Sequence, residues 1–247
     1  MIQVVEKDCF NRVRTCRVHD IIRDIIQLKS RDESFVTILN DTRMSLDEKI
    51  RRMSIHDSCK ELPLAMRFTS LKSLFVFGSM YLEKPFFKDF RMLELLDLEG
   101  APLREFPSEL VEMIHLRYLS LRRTLIDKIP ESIGKLTKLE ILDLKYCLAV
   151  HSPLPNGILK LKHLCQLRGY GHPYEASPML IGNTYAMKLP ANIGRLTNLQ
   201  KLGNVDLRGN GDMVRELGKL TQLRKLRIIY LLLGKICDSP QQHKNFT

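Results

Sequence analysis

The chain has 247 residues, 44% of them hydrophobic, which suffices for one ordinary domain or for an array of about eight short repeats with a small appendage. Its 39 basic and 28 acidic residues leave a formal charge of +11, which favours acidic partners, but no Trp, scattered Tyr and no basic helical stripe argue against nucleic-acid binding. The longest clean apolar run, Ile228 to Leu233, cannot span a bilayer, and Met1 to Cys9 carries charges where a secretory signal needs an apolar core, so the chain is expected in the cytoplasm.

Met1 to Glu6 and Arg12 to Val18 are β-prone runs separated by Lys7 to Asn11, which predicts a hairpin. Val18, Ile21, Ile22, Ile25 and Ile26 then recur at helical spacing, with Asp20 suited to the first turn. Ser30 to Glu33 breaks that pattern, and Phe35 to Leu39 reads as a short strand. So few residues cannot enclose much of a core, and 1–40 reads as the remnant of a larger domain. A polar linker follows over 41–49, with Ser45 and Glu48 at capping-box spacing.

From there the sequence becomes periodic. Leu93, Leu96 and Leu98, then Leu116, Leu119 and Leu121, then Leu139, Leu142 and Leu144 each spell L-x-x-L-x-L at the same interval. A small residue, Ala101, Thr124 or Cys147, falls three places after each final Leu. The x-L-x-L part alternates as a short strand does, and one such unit cannot cover its own apolar faces, so the units must stack. The fold class is therefore an α/β repeat: a leucine-rich-repeat solenoid with a curved parallel sheet on its concave face.

Weaker copies extend the array over 50–233. Ile50, Met53 and Ile55, then Leu71, Leu74 and Val76 precede the strong block; Leu164 and Leu167 follow it, with Gly169 where the last Leu is due. Glycines and prolines punctuate an insertion at 170–187, expected as a loop on the rim. Two registers then compete, Leu196, Leu199 and Leu202 against Leu202, Val205, Leu207 and Asn210, and the second has the better spacing. Leu220, Leu223, Leu226 and Ile228 form the last repeat, before a polar tail at 234–247. Pro107, Pro130, Pro155 and Pro190 each stand at the same distance before the first Leu of a strand and predict an extended turn on the convex side. The near-copies beginning at Ile129 and Leu189 are read as internal duplication.

The run Thr15-Cys16-Arg17-Val18-His19-Asp20-Ile21-Ile22-Arg23-Asp24 resembles the end of the nucleotide-binding module in plant intracellular nucleotide-binding leucine-rich-repeat immune receptors of the coiled-coil class. That family carries Met-His-Asp at the start of a helix in a winged-helix subdomain, just before its repeats; here Val18 stands in place of the Met. The resemblance covers nearly the whole chain, and implies a winged-helix remnant at 1–40 joined to the repeats of a plant defence receptor. It also implies that His19 contacts the phosphate of ADP in an intact receptor and that Asp20 supports it. The phosphate-cradling G-x-x-x-x-G-K-[ST] loop is not in this sequence, so no cofactor is expected on this chain alone, with ADP or ATP held only in the intact receptor.

Catalysis is not expected. There is no G-x-S-x-G, H-E-x-x-H or C-x-x-C pair, and His56 with Cys59 or His163 with Cys165 supplies two ligands where a metal needs three or four. The six cysteines read as reduced thiols. What remains is the concave surface, where side chains between the buried leucines point outward. Residue type and charge nominate Arg117, Tyr118, Arg122, Arg123, Lys145, Tyr146, Arg224, Lys225 and Arg227 as partner-binding residues. The partner expected is a protein, either the receptor's own nucleotide-binding module, which the array would hold inactive, or a pathogen effector. The alternative is a stand-alone leucine-rich-repeat adaptor or scaffold without nucleotide switching.

Overall fold

The structure, a computed structural model, describes residues 2–7, 13–33, 35–39, 50–56, 70–78, 86–147, 153–169, 186–207 and 211–228. Strand β1 (Ile2–Lys7) pairs antiparallel with β2 (Val13–Val18) as the hairpin predicts, and helix α1 (Asp20–Asp32) follows at once. Ile21, Ile25, Ile26 and Leu28 on α1 are 50–64% exposed.

Among the described residues a parallel sheet of nine strands follows. In chain order these are β3 (Thr37–Leu39), β4 (Arg52–Ile55), β5 (Ser73–Val76), β6 (Leu95–Asp97), β7 (Tyr118–Ser120), β8 (Ile141–Asp143), β9 (Gln166–Arg168), β10 (Lys201–Val205) and β11 (Lys225–Ile228). The sheet thus begins at Thr37 rather than near residue 50. Thr37 pairs with Met53 and Leu39 with Ile55, so the strand that sequence grouping placed with 1–40 opens the stack. A three-residue strand has few backbone partners of its own, and a parallel neighbour supplies them.

Registration across the sheet puts Leu74, Leu96, Leu119, Leu142, Leu167, Leu202 and Leu226 in one row. All but Leu226, on the last strand, are at most 1% exposed. Leu93, Leu98, Leu116, Leu121, Leu139 and Leu144 complete the core at 0%. The small residues after each strand are buried too, and two of them do more than fit. The Thr124 hydroxyl and the Cys147 thiol both donate to the Leu121 carbonyl, at 2.7 and 2.9 Å, which the Thr124 N–H also bonds.

On the opposite side of the core, 3₁₀ turns at Ser108–Glu112, Glu131–Lys135 and Asn156–Lys160 follow Pro107, Pro130 and Pro155. Each proline is itself extended, but its carbonyl accepts the N–H of Leu110, Ile133 or Ile158 and starts a helical turn, where an extended turn had been expected. Pro190 does the same for Ile193. Successive turns stack so closely that a Cβ on Gly134 would lie 2.6 Å from the Gly157 carbonyl oxygen, and one on Gly157 would fall on that of Glu131. The Glu131 carboxylate accepts the N–H groups of Asn156 and Gly157, at 3.0 and 2.6 Å, and so caps the next turn. Glu216 in α2 (Gly211–Gly218) reaches the N–H of Gly194 in the same way. Close approach, as well as duplication, therefore accounts for the shared Ile-Gly of the near-copies.

Between β9 and β10 the chain takes a longer step. Residues 170–185 of the expected insertion lie outside the described residues, but Met187 belongs to the stack. Its N–H donates to Asn204, its carbonyl accepts from Asp206, and its side chain is 0% exposed. Met187 also explains Gly169: a side chain there would strike the Met187 thioether and the Gly203 carbonyl, so methionine fills the slot that leucine takes elsewhere.

The later of the two competing registers is not the one adopted. Leu202 aligns with Leu167 and Leu226 in the central row, and Leu199, buried at 0%, takes the place of the first Leu. Pairing then shifts so that Val205 meets Ile228, an extra residue in β10 that Asn204 accommodates at φ 57°. The bulge turns Val205 and Leu207 inward as well, at 0% and 7% exposure. The preference for the later register is corrected by this one-residue bulge. The tail at 234–247 lies outside the described residues.

Candidate functional site

Because strand side chains alternate, the residues flanking the buried leucine row form the open face of the sheet. One row, formed just before the strands, runs Lys72, Glu94, Arg117, Glu140, Cys165, Gln200 and Arg224, each N–H bonded to the carbonyl of its predecessor. The next runs Ser73, Leu95, Tyr118, Ile141, Gln166, Lys201 and Lys225. A third, beyond the leucines, holds Phe75, Asp97, Ser120, Asp143 and Arg168.

Charges on this face pair between neighbouring repeats. Lys72 meets Glu94 at 2.7 Å, Arg117 meets Glu140 at 2.5 Å and Arg168 meets Asp143 at 3.0 Å. Glu99 lies 3.5 Å from Arg122 and 3.4 Å from Arg123. The Lys72 ammonium donating to Glu94 holds that carboxyl below its usual range. Asp143 and Ser120, both expected to point freely outward, are only 3% and 2% exposed. Asp143 accepts from Arg168 and from the Lys145 N–H, and burial pushes the nearby Asp97 carboxyl up.

Of the nominated residues, Arg117, Arg122 and Arg123 are thus engaged with carboxylates of this same chain. Arg122 and Arg123 also lie over the Tyr146 ring, 5.2 and 5.7 Å from its centroid. Arg123 and Tyr146 sit at φ 57° and 59°, where Gly78 and Gly100 stand in the two preceding repeats at φ 102° and 82°. A left-handed backbone is strained for a residue with a side chain, and here two consecutive repeats hold it. Tyr118 is half-buried, and burial, with the Asp97 carboxylate beside it, pushes its phenol up. Burial pushes the half-buried Lys145 ammonium down. Arg224, Lys225 and Arg227 are exposed, with no carboxylate partner among the described residues.

Sequence reasoning did not nominate the apolar members of the face. Leu95 and Ile141 are half-buried beside Tyr118, and Phe77 stacks on Phe75 and His56 with centroids 6.3 and 5.3 Å apart. Their signal lay in the positions just before and after each central Leu, where a solvated face would carry polar residues.

His19 and Asp20 lie at the start of α1. Both are exposed; the His19 Nδ1 accepts the N–H of Ile21 at 3.4 Å, and Asp20 pairs with Arg23 at 3.2 Å. Among the described residues no three His, Cys, Asp or Glu side chains gather to hold a metal, and no helix is long and apolar enough to cross a membrane.

A family model described as a leucine-rich repeat region matches residues 70–244. The chain belongs to the leucine-rich-repeat family. Its leucine-rich repeats, and the segment before them, are similar to plant disease resistance proteins. Disease resistance protein Pik-2 of Oryza sativa subsp. japonica is 29% identical over 272 residues, covering 98% of this chain and 26% of its own. A disease resistance protein of Arabidopsis thaliana is 30% identical over 222 residues, covering 88% of this chain and 23% of its own. The chain therefore spans about a quarter of the length of the curated relatives it matches. Among solved structures, an internalin of Listeria monocytogenes superposes with a TM-score of 0.51 at 14% identity, over 74% of this chain and 50% of that one, a likeness of leucine-rich-repeat fold alone.

Proposed function

We propose that the array is the recognition surface of a cytoplasmic plant defence receptor, and that it binds a protein through the open face of its sheet. The occupant is the receptor's own nucleotide-binding module in the resting state, or a pathogen effector. One observation carries this reading: Leu95, Tyr118 and Ile141 stand side by side in the open-face row, half-buried, beside the Lys72–Glu94, Arg117–Glu140 and Arg168–Asp143 pairs. A face of that make-up has apolar area to gain by contact and little free charge to desolvate at its centre.

In the same reading, the hairpin and α1 are the end of a winged-helix subdomain, and His19 with Asp20 faces ADP once the rest of the receptor is present. The N–H groups of a helix start beside an imidazole suit a phosphate.

A chimera with this chain in place of the matching segment of Pik-2, expressed in leaves, tests both parts. Tyr118→Arg and Ile141→Arg are expected to alter cell-death output, while Lys135→Glu on the opposite side is not. His19→Ala is expected to lose ADP retention. Output indifferent to the open-face changes removes the recognition reading, and retention unchanged by His19→Ala leaves the stand-alone adaptor.

A further inference from the structure

The charges of the open face fall into two groups. From β5 to β9, Lys72, Arg117, Arg122 and Arg168 meet carboxylates of a neighbouring repeat. Beyond β9 that alternation stops. Lys201, Arg224, Lys225 and Arg227 are exposed, and none has a carboxylate partner among the described residues. In their midst lies Gly203, one residue past Leu202, which pairs with Leu167 on β9 and Leu226 on β11, and two residues past Lys201, which pairs with Lys225.

A side chain built at Gly203 would meet nothing within 4 Å, so the row of side chains has a gap there. Nearby, burial pushes the Lys145 ammonium down; Asp143 opposes that, and Arg168, Arg122 and Arg227 add to it. Cations gathered without counter-charges raise each other's energy, and an anion that enters is stabilised by all of them.

The row holding Lys201 and Lys225 runs back through Gln166 to Ile141 and Tyr118. Strands lie ~4.8 Å apart, so Ile141 and Lys225 are separated by about 14 Å, the reach of about four residues of extended chain.

We propose that this end of the sheet docks an acidic segment of a partner protein. Its carboxylates enter the gap at Gly203 between Lys201, Lys225 and Arg227, and large apolar side chains about four residues away settle on Ile141 and Tyr118. This rests on the open face being a recognition surface, and adds the chemistry and direction of what it recognises.

The test is fluorescence anisotropy on the purified chain, with a labelled synthetic peptide that places Leu and Phe about four residues from a run of Glu. Binding is expected to weaken with salt, and to fall about tenfold when Lys225→Glu and Arg227→Glu are combined. Gly203→Leu fills the gap without altering charge, in open space and without strain, and is expected to weaken binding as well. Lys135→Glu with Lys160→Glu makes the same change in net charge on the opposite side, and leaves affinity within about twofold. Equal loss from that second pair would reduce the effect to net charge. Unchanged affinity in Gly203→Leu would remove the gap from the site, and displacement by inorganic pyrophosphate as readily as by unlabelled peptide would make it a phosphate site. Since peptide affinity needs no receptor output, this proposal can fail while the leaf assay succeeds, and the reverse.

Discussion

Cys147 shows how one residue serves packing and hydrogen bonding together. Its small side chain is 4% exposed, and its thiol donates to the Leu121 carbonyl across the repeat boundary. Burial pushes that thiol from 9.0 to about 11. A folded-state value raised above the unfolded one means that the unfolded chain gives up its proton first. The stabilisation is therefore whole below pH 9.0 and lost as pH rises towards about 11, an effect of roughly 3 kcal/mol. Urea midpoints measured between pH 8 and 11 are expected to fall more steeply for the native chain than for Cys147→Ala, in which this titration is missing; parallel curves would contradict it. The paired surface charges are a different case. Arg117 with Glu140 and Lys72 with Glu94 are both well exposed, and such pairs are worth ~0.2–1 kcal/mol. Their part is to neutralise the centre of the face rather than to hold the fold.

At the scale of the element, the 3₁₀ turns and strands obey different constraints. A strand needs its leucine inward and tolerates variety outward, as the run of Glu94, Arg117, Glu140 and Cys165 shows. A turn on the other side must let its neighbour approach to backbone contact. Gly157 sits against the Glu131 carbonyl while the Glu131 carboxylate caps its N–H. Gly157→Ala must push two turns apart, and is expected to lower stability by about 1–3 kcal/mol in urea unfolding. Gly203→Ala, which meets open space, is expected to be neutral or slightly stabilising. If the two substitutions cost the same, contact between turns is not what selects glycine.

For the whole molecule, stability comes from neighbours, because each unit's apolar faces are covered by the units beside it. Deleting 116–138 removes one complete unit and joins His115 to Leu139 in the register that Leu116 held. The shortened chain is expected to keep its circular-dichroism spectrum and melt at a lower temperature, in part because Glu94 then adjoins Glu140. Deleting only 116–126 breaks the leucine row and is expected to abolish cooperative melting. Equivalent behaviour of the two deletions would mean that the repeats are not the units of folding.

The leucine interval, the stack and the inward row were all legible in the chain, because burial by alternation is a local, one-dimensional rule that each repeat restates. Pro190, placed before Leu199 as the other prolines stand before their strands, even marked the register that β10 adopts. The Gly203–Asn204 bulge hid it, since an inserted residue shifts the apolar pattern without any apolar signal of its own. Other features depend on which residues meet across strands far apart in sequence: Met187 filling the slot beside Gly169, β3 joining β4, and the carboxylates that occupy Arg117, Arg122 and Arg123. Lateral neighbours are separated by a whole repeat along the chain and by one strand spacing in space, so only the folded register brings their charges and volumes together.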